Sequence, residues 1–263
     1  MNGEKALQLN DHRVDVWLIN PNDFIDSQLL SQYHHLLSLD EKQRLDKYIY
    51  PEDRHDALIT RAFVRTLLSC YTSGEHYVAP EQWCFKRGDK GKPEIINAPF
   101  PLRFNLSHTK GLIACAVTLS VDVGIDVEYI LRKTSYLKVA DHKFAPKEIA
   151  ELNSQPIDNQ RSRFFDYWTL KESYIKAVGG GLSIPLDRFC FNIESYQHIS
   201  MCFDQPSKEI SNHWQNWLFD ASVNHRLGLS VKDPQLNFRT VSFFQSIPLV
   251  DHWPVELPLR LSL

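Results

Sequence analysis

The chain of 263 residues is 43% hydrophobic and 12% aromatic, enough apolar material to bury one sizeable core or two small ones. Its formal net charge is -3, so it lacks the broad basic field of nucleic-acid-binding proteins, and we expect no nucleic acid as a partner. Any binding site for an anion must therefore be built from a local group of lysines and arginines.

The cysteines and the apolar runs bear on the compartment. Five cysteines are scattered along the chain without a Cys-x-x-Cys pair, which argues against a disulfide framework and against a zinc site. The amino terminus is polar and charged, and the longest wholly apolar run, residues 112–117, is far too short to span a bilayer. We therefore expect a cytoplasmic protein in a reducing compartment, with no membrane association.

The first half of the chain predicts a strand, then helices, then strands. Residues 14–19 (Val-Asp-Val-Trp-Leu-Ile) read as a strand that Asn20-Pro21 closes. Residues 40–68 contain no glycine and a single proline, Pro51, with apolar residues near helical spacing, so we expect two helices broken at that proline. Residues 103–118 predict two strands around a turn at Lys110-Gly111.

The second half also mixes both element types. Residues 121–130 predict a strand, Pro146 begins a short helix, and a longer helix ends at a run of three glycines from Gly179. Strand-like runs follow at 188–194, 216–219, 226–231 and 238–244. No Gly- or Ser-rich linker marks a boundary, and the best junction for two lobes is 119–122.

The long helix carries a carboxylate on its apolar stripe. Phe164, Trp168 and Ile175 fall on one helical face, and Glu172 interrupts that face, with Lys176 one turn further on. A carboxylate that faces packed side chains needs a cation, a metal or hydrogen bonds, because removing its charge from water is costly. The alternative is an exposed Glu-to-Lys pair of little energetic weight.

Residues 123–128 (Val-Gly-Ile-Asp-Val-Glu) form a strand with one acidic face. Strand alternation places Asp126 and Glu128 together on that face, and Gly124 leaves room for something to approach the backbone. With Glu172 added, the three carboxylates match the oxygen ligands that magnesium prefers. The alternative is a strand with a solvated acidic face.

Two further segments are suited to phosphate. Ser107 and His108 are adjacent on a predicted strand and point to opposite faces, so they are poorly placed as a nucleophile and its base, and no G-x-S-x-G elbow is present. They are better used as donors to phosphate oxygens, the alternative being ordinary polar residues at a strand end. Residues 87–92 combine two glycines with three cations, a composition that can surround an anion but also occurs in surface turns.

Five motifs follow one another between residues 40 and 190. They are Gly-Lys-Pro at 91–93, Asn-Leu-Ser-His at 105–108, Gly-Ile-Asp-Val-Glu at 124–128, Phe-Ala-Pro-Lys-Glu at 144–148 and Trp-Thr-Leu-Lys-Glu-Ser-Tyr-Ile-Lys-Ala at 168–177. In this order and spacing they resemble the motifs of the 4′-phosphopantetheinyl transferases of the surfactin-synthetase type.

The resemblance implies a fold and a reaction. The fold would be α+β, a pseudo-twofold pair of similar α/β lobes with the active site in the cleft between them. We expect an N-terminal lobe at 1–120 and a C-terminal lobe carrying the metal ligands at 121–263. The reaction would be the Mg²⁺-dependent transfer of the 4′-phosphopantetheine arm of coenzyme A to a serine of an apo acyl or peptidyl carrier protein, releasing adenosine 3′,5′-bisphosphate. A monomeric enzyme of the holo-[acyl-carrier-protein] synthase type would perform it.

The matching positions imply roles for individual residues. Asp126, Glu128 and Glu172 resemble the magnesium ligands, and Glu172 is also the candidate base for the serine hydroxyl. Lys176 resembles the cation on the transferred phosphate. The implied coenzyme A contacts are Arg44, Arg87, Gly88, Asp89, Lys90, Gly91, Lys92, Asn105, Leu106, Ser107, His108, Lys171 and Lys176.

A non-catalytic protein of the same fold is the alternative function. Such a protein would bind coenzyme A or dock carrier proteins without turnover. The three carboxylates beside Lys176 favour an enzyme, because a pure binding protein has little use for Glu172 next to that lysine.

Overall fold

The computed structural model describes residues 6–88, 90–195, 198–204 and 208–260. Within them the α-helices are α1 Ser27–Leu36, α2 Leu39–Leu45, α3 Pro51–Ser69, α4 Tyr136–Lys143, α5 Pro146–Ser154 and α6 Ile157–Val178. The strands are β1 Arg13–Ile19, β2 Phe85–Arg87, β3 Pro93–Ile95, β4 Leu102–Thr109, β5 Leu112–Leu119, β6 Asp122–Tyr129, β7 Phe189–Ser195, β8 His198–Phe203, β9 Trp214–Ser222, β10 His225–Lys232, β11 Thr240–Ile247 and β12 Asp251–Val255.

The larger sheet has five strands in the order β12-β11-β1-β5-β4. Strands β1 and β11 run parallel, and the other neighbours are antiparallel. Helices α1 and α3 cover one face of this sheet around Trp17 and Phe63, which are fully buried. Helix α2 begins with a capping box of Ser38 and Glu41, and α3 has Pro51 in its first turn, where the missing N–H costs nothing.

The smaller sheet has three strands in the order β6-β10-β9, and α6 crosses it. Two glycines on neighbouring strands permit this close packing. A Cβ added to Gly124 would lie 2.0 Å from the carbonyl oxygen of Ser173, and one added to Gly228 would lie 2.6 Å from that of Thr169. The room that Gly124 leaves beside its backbone is therefore filled by α6 itself.

Strands β4 and β6 connect the two sheets through side chains. Asn105 Oδ1 accepts from the backbone N–H of Ile125 at 2.9 Å, and Ser107 Oγ accepts from that of Val127 at 3.2 Å. Thr109 Oγ1 accepts in the same way from the backbone N–H of Tyr129 at 3.2 Å, two residues further along both strands. The two strands therefore run parallel, and a third apolar core lies between the sheets.

Most predicted elements are present, and the α+β class is confirmed. The strands at β1 and β4–β6, the helices beginning at Pro51 and Pro146, and the four tail strands all form, and α6 ends at Gly179 in the left-handed region with φ 74°. Helices α1 and α4 and strands β2, β3, β8 and β12 were not individually predicted. Strands β11 and β12, from the end of the chain, join the five-stranded sheet that contains β1, β4 and β5. The division into an N-terminal lobe at 1–120 and a C-terminal lobe at 121–263 stays a prediction.

The structure corrects two expectations from the sequence, one about the cysteines and one about the burial of α6. Cys190 and Cys202 lie opposite each other on β7 and β8 with their Cα atoms 5.2 Å apart and form a disulfide, which corrects the expectation of unlinked cysteines. Spacing alone did not reveal this pair because it depends on the register of the hairpin. Helix α6 is buried on most sides rather than along one stripe. No helix in the described part of the chain combines the length and apolar content needed to cross a membrane.

Candidate functional site

Asp126 is the centre of the carboxylate site. Its side chain is 6% exposed and projects from β6 toward α6 and β4. Oδ1 accepts hydrogen bonds from Lys176 Nζ at 2.6 Å and from Ser107 Oγ at 3.0 Å. Oδ2 is buried and has no hydrogen-bond partner among the described residues. Half of this carboxylate is thus satisfied, and the other half can still accept a ligand.

Helix α6 brings three side chains to Asp126 and Glu128. Trp168, Glu172 and Lys176 recur every four residues and so share one helical face, which the close approach at Gly124 brings over β6. Burial raises the pKa of the Glu172 carboxyl, the negative charge of Asp126 raises it further, and Lys176 opposes both effects. The structure therefore groups Glu172 with Asp126, as the sequence predicted.

Glu128 is held by two donors. Trp168 Nε1 donates to its Oε1 at 2.8 Å, and Arg132 contacts the same oxygen at 3.3 Å. Burial raises the pKa of Glu128 to about 7, with a further contribution from Asp126, while Arg132 and Trp168 act in the opposite direction. The negative charge of Asp126 raises the pKa of both Glu128 and Glu172, which indicates that the three carboxylates lie close to one another.

The chemistry of the three carboxylates fits a divalent cation, although the described residues contain no preformed coordination site. No group of three His, Cys, Asp or Glu side chains within them is already arranged around one point. The fit rests on three carboxylates coupled electrostatically, on the unpartnered Oδ2 of Asp126, and on the all-oxygen chemistry that magnesium prefers. Lys176 supplies the positive charge that now balances Asp126.

A cavity of about 810 Å³ lies on the other side of β4. Its basic lining residues are Arg44, Arg61, Arg65, Lys86, Arg87 and His108, and its acidic lining residues are Asp40, Glu41, Asp53 and Asp56. Tyr48 and Phe85 add aromatic surface. Two of the arginines are paired, Arg44 with Asp40 at 2.8 Å and Arg65 with Glu41 at 2.7 Å. A cavity of this size with several cations and aromatic rings can hold a nucleotide.

Several of the coenzyme A contacts predicted from the sequence, among them Arg44, Arg87 and His108, line this cavity. Arg61 and Lys86 also line it, although neither was predicted to belong to a site. The spacing of Arg61 and Arg65, four residues apart on a predicted helix, was the signal that could have found Arg61.

The alternation along β4 divides the predicted coenzyme A contacts into two sets. Leu106 and His108 line the cavity. The side chains of Asn105 and Ser107 instead bind β6, and Ser107 also contacts Asp126 and Lys176. This corrects the expected use of the Ser107 side chain as a phosphate donor and of the Asn105 side chain as a coenzyme A contact. It also places Ser107 and His108 on opposite sides, the geometry that argues against a hydrolase pair.

The turn at 87–92 packs against the end of α6. Lys92 Nζ donates to the carbonyl oxygen of Ala177 at 2.9 Å, and its pKa is lowered by burial. The backbone of the turn closes on itself, with Gly88 N donating to the carbonyl oxygen of Lys92 and Gly91 N to that of Gly88. The structure uses the Lys92 ammonium to cap a helix carbonyl, while Arg87 faces the cavity. Lys90 is exposed, and Asp89 lies outside the described residues.

Lys171 does not belong to the site. Its side chain is fully buried, and Nζ contacts Glu148 at 2.8 Å and the carbonyl oxygens of Leu186 and Phe189 at 2.7 Å each. Every donor of the ammonium is thus occupied on the side of α6 that faces away from Lys176. This geometry corrects the expectation that Lys171 contacts coenzyme A.

Fold and site define an α+β protein in which a carboxylate cluster lies on one side of β4 and a cavity lined by cations and carboxylates lies on the other. Its sequence matches two family models, "4′-phosphopantetheinyl transferase, N-terminal" over residues 25–120 and "4′-phosphopantetheinyl transferase superfamily" over residues 122–230. The 4′-phosphopantetheinyl transferase HetI of Nostoc sp. is 38% identical over 180 residues, covering 67% of this chain and 73% of that protein. The chain belongs to the 4′-phosphopantetheinyl transferase superfamily.

Two further relatives and one solved structure share lower sequence identity with this chain. The 4′-phosphopantetheinyl transferase Sfp of Bacillus subtilis is 30% identical over 165 residues, 63% of this chain and 70% of that protein. The L-aminoadipate-semialdehyde dehydrogenase-phosphopantetheinyl transferase of Mus musculus is 28% identical over 218 residues, 74% of this chain and 67% of that protein. The solved holo-[acyl-carrier-protein] synthase of Thermotoga maritima matches 43% of this chain and 63% of that chain with 24% identity and a TM-score of 0.36.

Proposed function

We propose that this chain transfers the 4′-phosphopantetheine arm of coenzyme A to a serine of an apo acyl or peptidyl carrier protein. The reaction releases adenosine 3′,5′-bisphosphate and depends on Mg²⁺, and the enzyme acts as a monomer of two lobes, 1–120 and 121–263. The observation that carries the proposal is the ion pair of Asp126 with Lys176 and the electrostatic coupling of Glu128 and Glu172 to both residues, on the other side of β4 from a cavity rich in arginine and lysine.

The cavity supports the binding of the nucleotide end of coenzyme A. That end carries a 3′-phosphate, which needs positive charge, and a purine base. Arg44 and His108 are assigned to the 3′-phosphate, and Arg61, Lys86 and Arg87 add cations to the same space. Tyr48 and Phe85 offer the aromatic surface on which a purine base packs.

The carboxylate cluster supports the transfer step. Asp126, Glu128 and Glu172 would hold the magnesium ion, which supplies charge neutralisation on the phosphate oxygens. Glu172 is the candidate acceptor for the proton of the serine hydroxyl, because burial and Asp126 raise its pKa toward the range of a useful base. Lys176 can place its ammonium on the leaving phosphate, and Trp168 and Arg132 orient Glu128.

The test is a mass measurement on a carrier protein. Incubation with coenzyme A, Mg²⁺ and apo acyl or peptidyl carriers should add the mass of one phosphopantetheine to the carrier. Glu172→Gln should abolish this gain and melt near the wild-type temperature, whereas Asp158→Asn, an exposed acid in the first turn of α6, should keep it. A wild-type protein that binds coenzyme A but modifies no carrier in the panel would instead support the non-catalytic alternative.

The carrier panel also tests the subtype. Transfer to acyl carrier proteins would make the chain a holo-[acyl-carrier-protein] synthase, and faster transfer to peptidyl carriers or to an aminoadipate-reductase carrier would assign another pathway. Comparing initial rates across the panel separates these outcomes.

A further inference from the structure

Lys176 occupies the polar environment of Asp126. Its ammonium donates to Asp126 Oδ1 at 2.6 Å and to Ser107 Oγ at 2.8 Å, and Ser107 in turn donates to the same Oδ1. The other oxygen of the carboxylate, Oδ2, is buried and has no hydrogen-bond partner among the described residues. One cation therefore neutralises a carboxylate whose second oxygen has no hydrogen-bond partner among the described residues.

We propose that Lys176 is a displaceable counter-ion of Asp126, and that its release couples the binding of the pyrophosphate substrate to the binding of the divalent cation. This inference rests on the proposed function, since it concerns the same carboxylates. It adds a second role to Lys176: in the free protein the ammonium weakens cation binding, and in the complex it contacts phosphate.

Two cations on one carboxylate repel each other. A divalent ion bound at Oδ2 would lie within a few ångströms of an ammonium bound at Oδ1, and like charges at such distances in a partly buried site repel strongly. Cation affinity in the free protein should therefore be low. A pyrophosphate gives the ammonium a better acceptor, so substrate raises the affinity for the cation, and by linkage the cation raises the affinity for substrate by the same factor.

The surroundings of Lys176 allow it to move, in contrast to those of Lys171. The Lys176 side chain is 28% exposed, so its flexible stem can turn toward solvent without losing a packed position. Lys171, five residues earlier on α6, is fully buried and holds two backbone carbonyls and Glu148. The two lysines thus differ in exposure and in the number of buried partners that each would lose on moving.

The experiment measures Mn²⁺ binding by the intact protein without carrier, by electron paramagnetic resonance or calorimetry, with and without coenzyme A. Lys176→Met and Lys176→Gln should bind Mn²⁺ about tenfold tighter than wild type when coenzyme A is absent. Lys133→Met removes the same charge from an exposed position and should change the affinity less than twofold. Coenzyme A should tighten Mn²⁺ binding by a larger factor in wild type than in the Lys176 variants.

The outcomes separate this inference from the proposed function. If both Lys176 variants melt like wild type and bind Mn²⁺ no tighter without coenzyme A, the counter-ion role is wrong even where transfer activity is present. If Lys133→Met gains as much as Lys176→Met, the effect belongs to net charge and the inference also fails. If Mn²⁺ does not bind to wild type with coenzyme A, or binds equally well to Glu172→Gln, the metal site itself is overturned.

Discussion

Gly124 on β6 and Ser173 on α6 pack so closely that a Cβ on the glycine would lie 2.0 Å from the serine carbonyl oxygen. The same hypothetical atom would lie 2.3 Å from the backbone nitrogen of Ala177. Real Cβ atoms do not approach backbone at such distances, so only glycine permits this packing. The placement of Glu172 and Lys176 over Asp126 therefore depends on a missing side chain.

We expect Gly124→Ala to displace α6 and to lower both stability and transfer. The added methyl group meets the backbone of α6 at both Ser173 and Ala177, so the helix must move, at a cost of about 2–3 kcal/mol in the free energy of unfolding. Denaturant unfolding and the carrier mass assay measure the two effects. Gly88→Ala is the control for stability, because its Cβ would lie 3.4 Å from the Glu94 carboxylate, an ordinary contact. Equal stability of the two variants would contradict the argument.

We expect Lys171→Met to lower the free energy of unfolding by about 3–5 kcal/mol, because it leaves the buried carboxylate of Glu148 without its cation. Two carbonyl oxygens, of Leu186 and Phe189, lose their donor as well. Lys147→Met, at an exposed position near Glu148, should change stability by less than about 0.5 kcal/mol. A Lys171 variant of normal stability with a raised KM for coenzyme A would restore the role that the sequence first suggested.

His108→Ala should raise the KM for coenzyme A about fivefold with little change in kcat. A contact to the 3′-phosphate is remote from the reacting centre and stabilises ground and transition states alike. Dephospho-coenzyme A, which lacks this phosphate, should show no such difference between wild type and variant. His35→Ala, an exposed histidine on α1, is the control. An equal loss with both substrates would remove His108 from the 3′-phosphate.

The stability of the metal-free protein should fall between pH 4.5 and 7 because of Glu128. The folded-state pKa of this group is raised from 4.5 to about 7, so in that window the folded state holds more protons than the unfolded state. Stability is then full below pH 4.5 and is lost as the pH rises, by at most about 1.4 kcal/mol per pH unit.

Unfolding curves with a chelator at several pH values test this. Glu128→Gln should flatten the fall relative to wild type, and the exposed Glu52→Gln should leave it unchanged. Parallel curves for wild type and Glu128→Gln would show that Glu128 ionises normally in the folded protein.

The elements of this fold could be predicted from the sequence because their signals are local. Pro51 and Pro146 begin helices where a missing N–H is harmless, and Gly111 and Gly179 adopt left-handed φ values at the turn and at the helix end that were expected there. The alternation of β6 and the helical spacing of α6 placed Asp126 and Glu172 on facing surfaces for the same reason. Each signal lies within a few residues of its effect.

The contacts of individual side chains were decided by the tertiary structure. Lys171 and Lys176 occur in one motif, yet the first is buried against β7 and the second contacts Asp126, because α6 packs on both sides. The ammonium of Lys92 caps α6 instead of facing the cavity, and Cys190 meets Cys202 through a hairpin register. Packing of distant segments sets these partners, and no short window of sequence records which segments will meet.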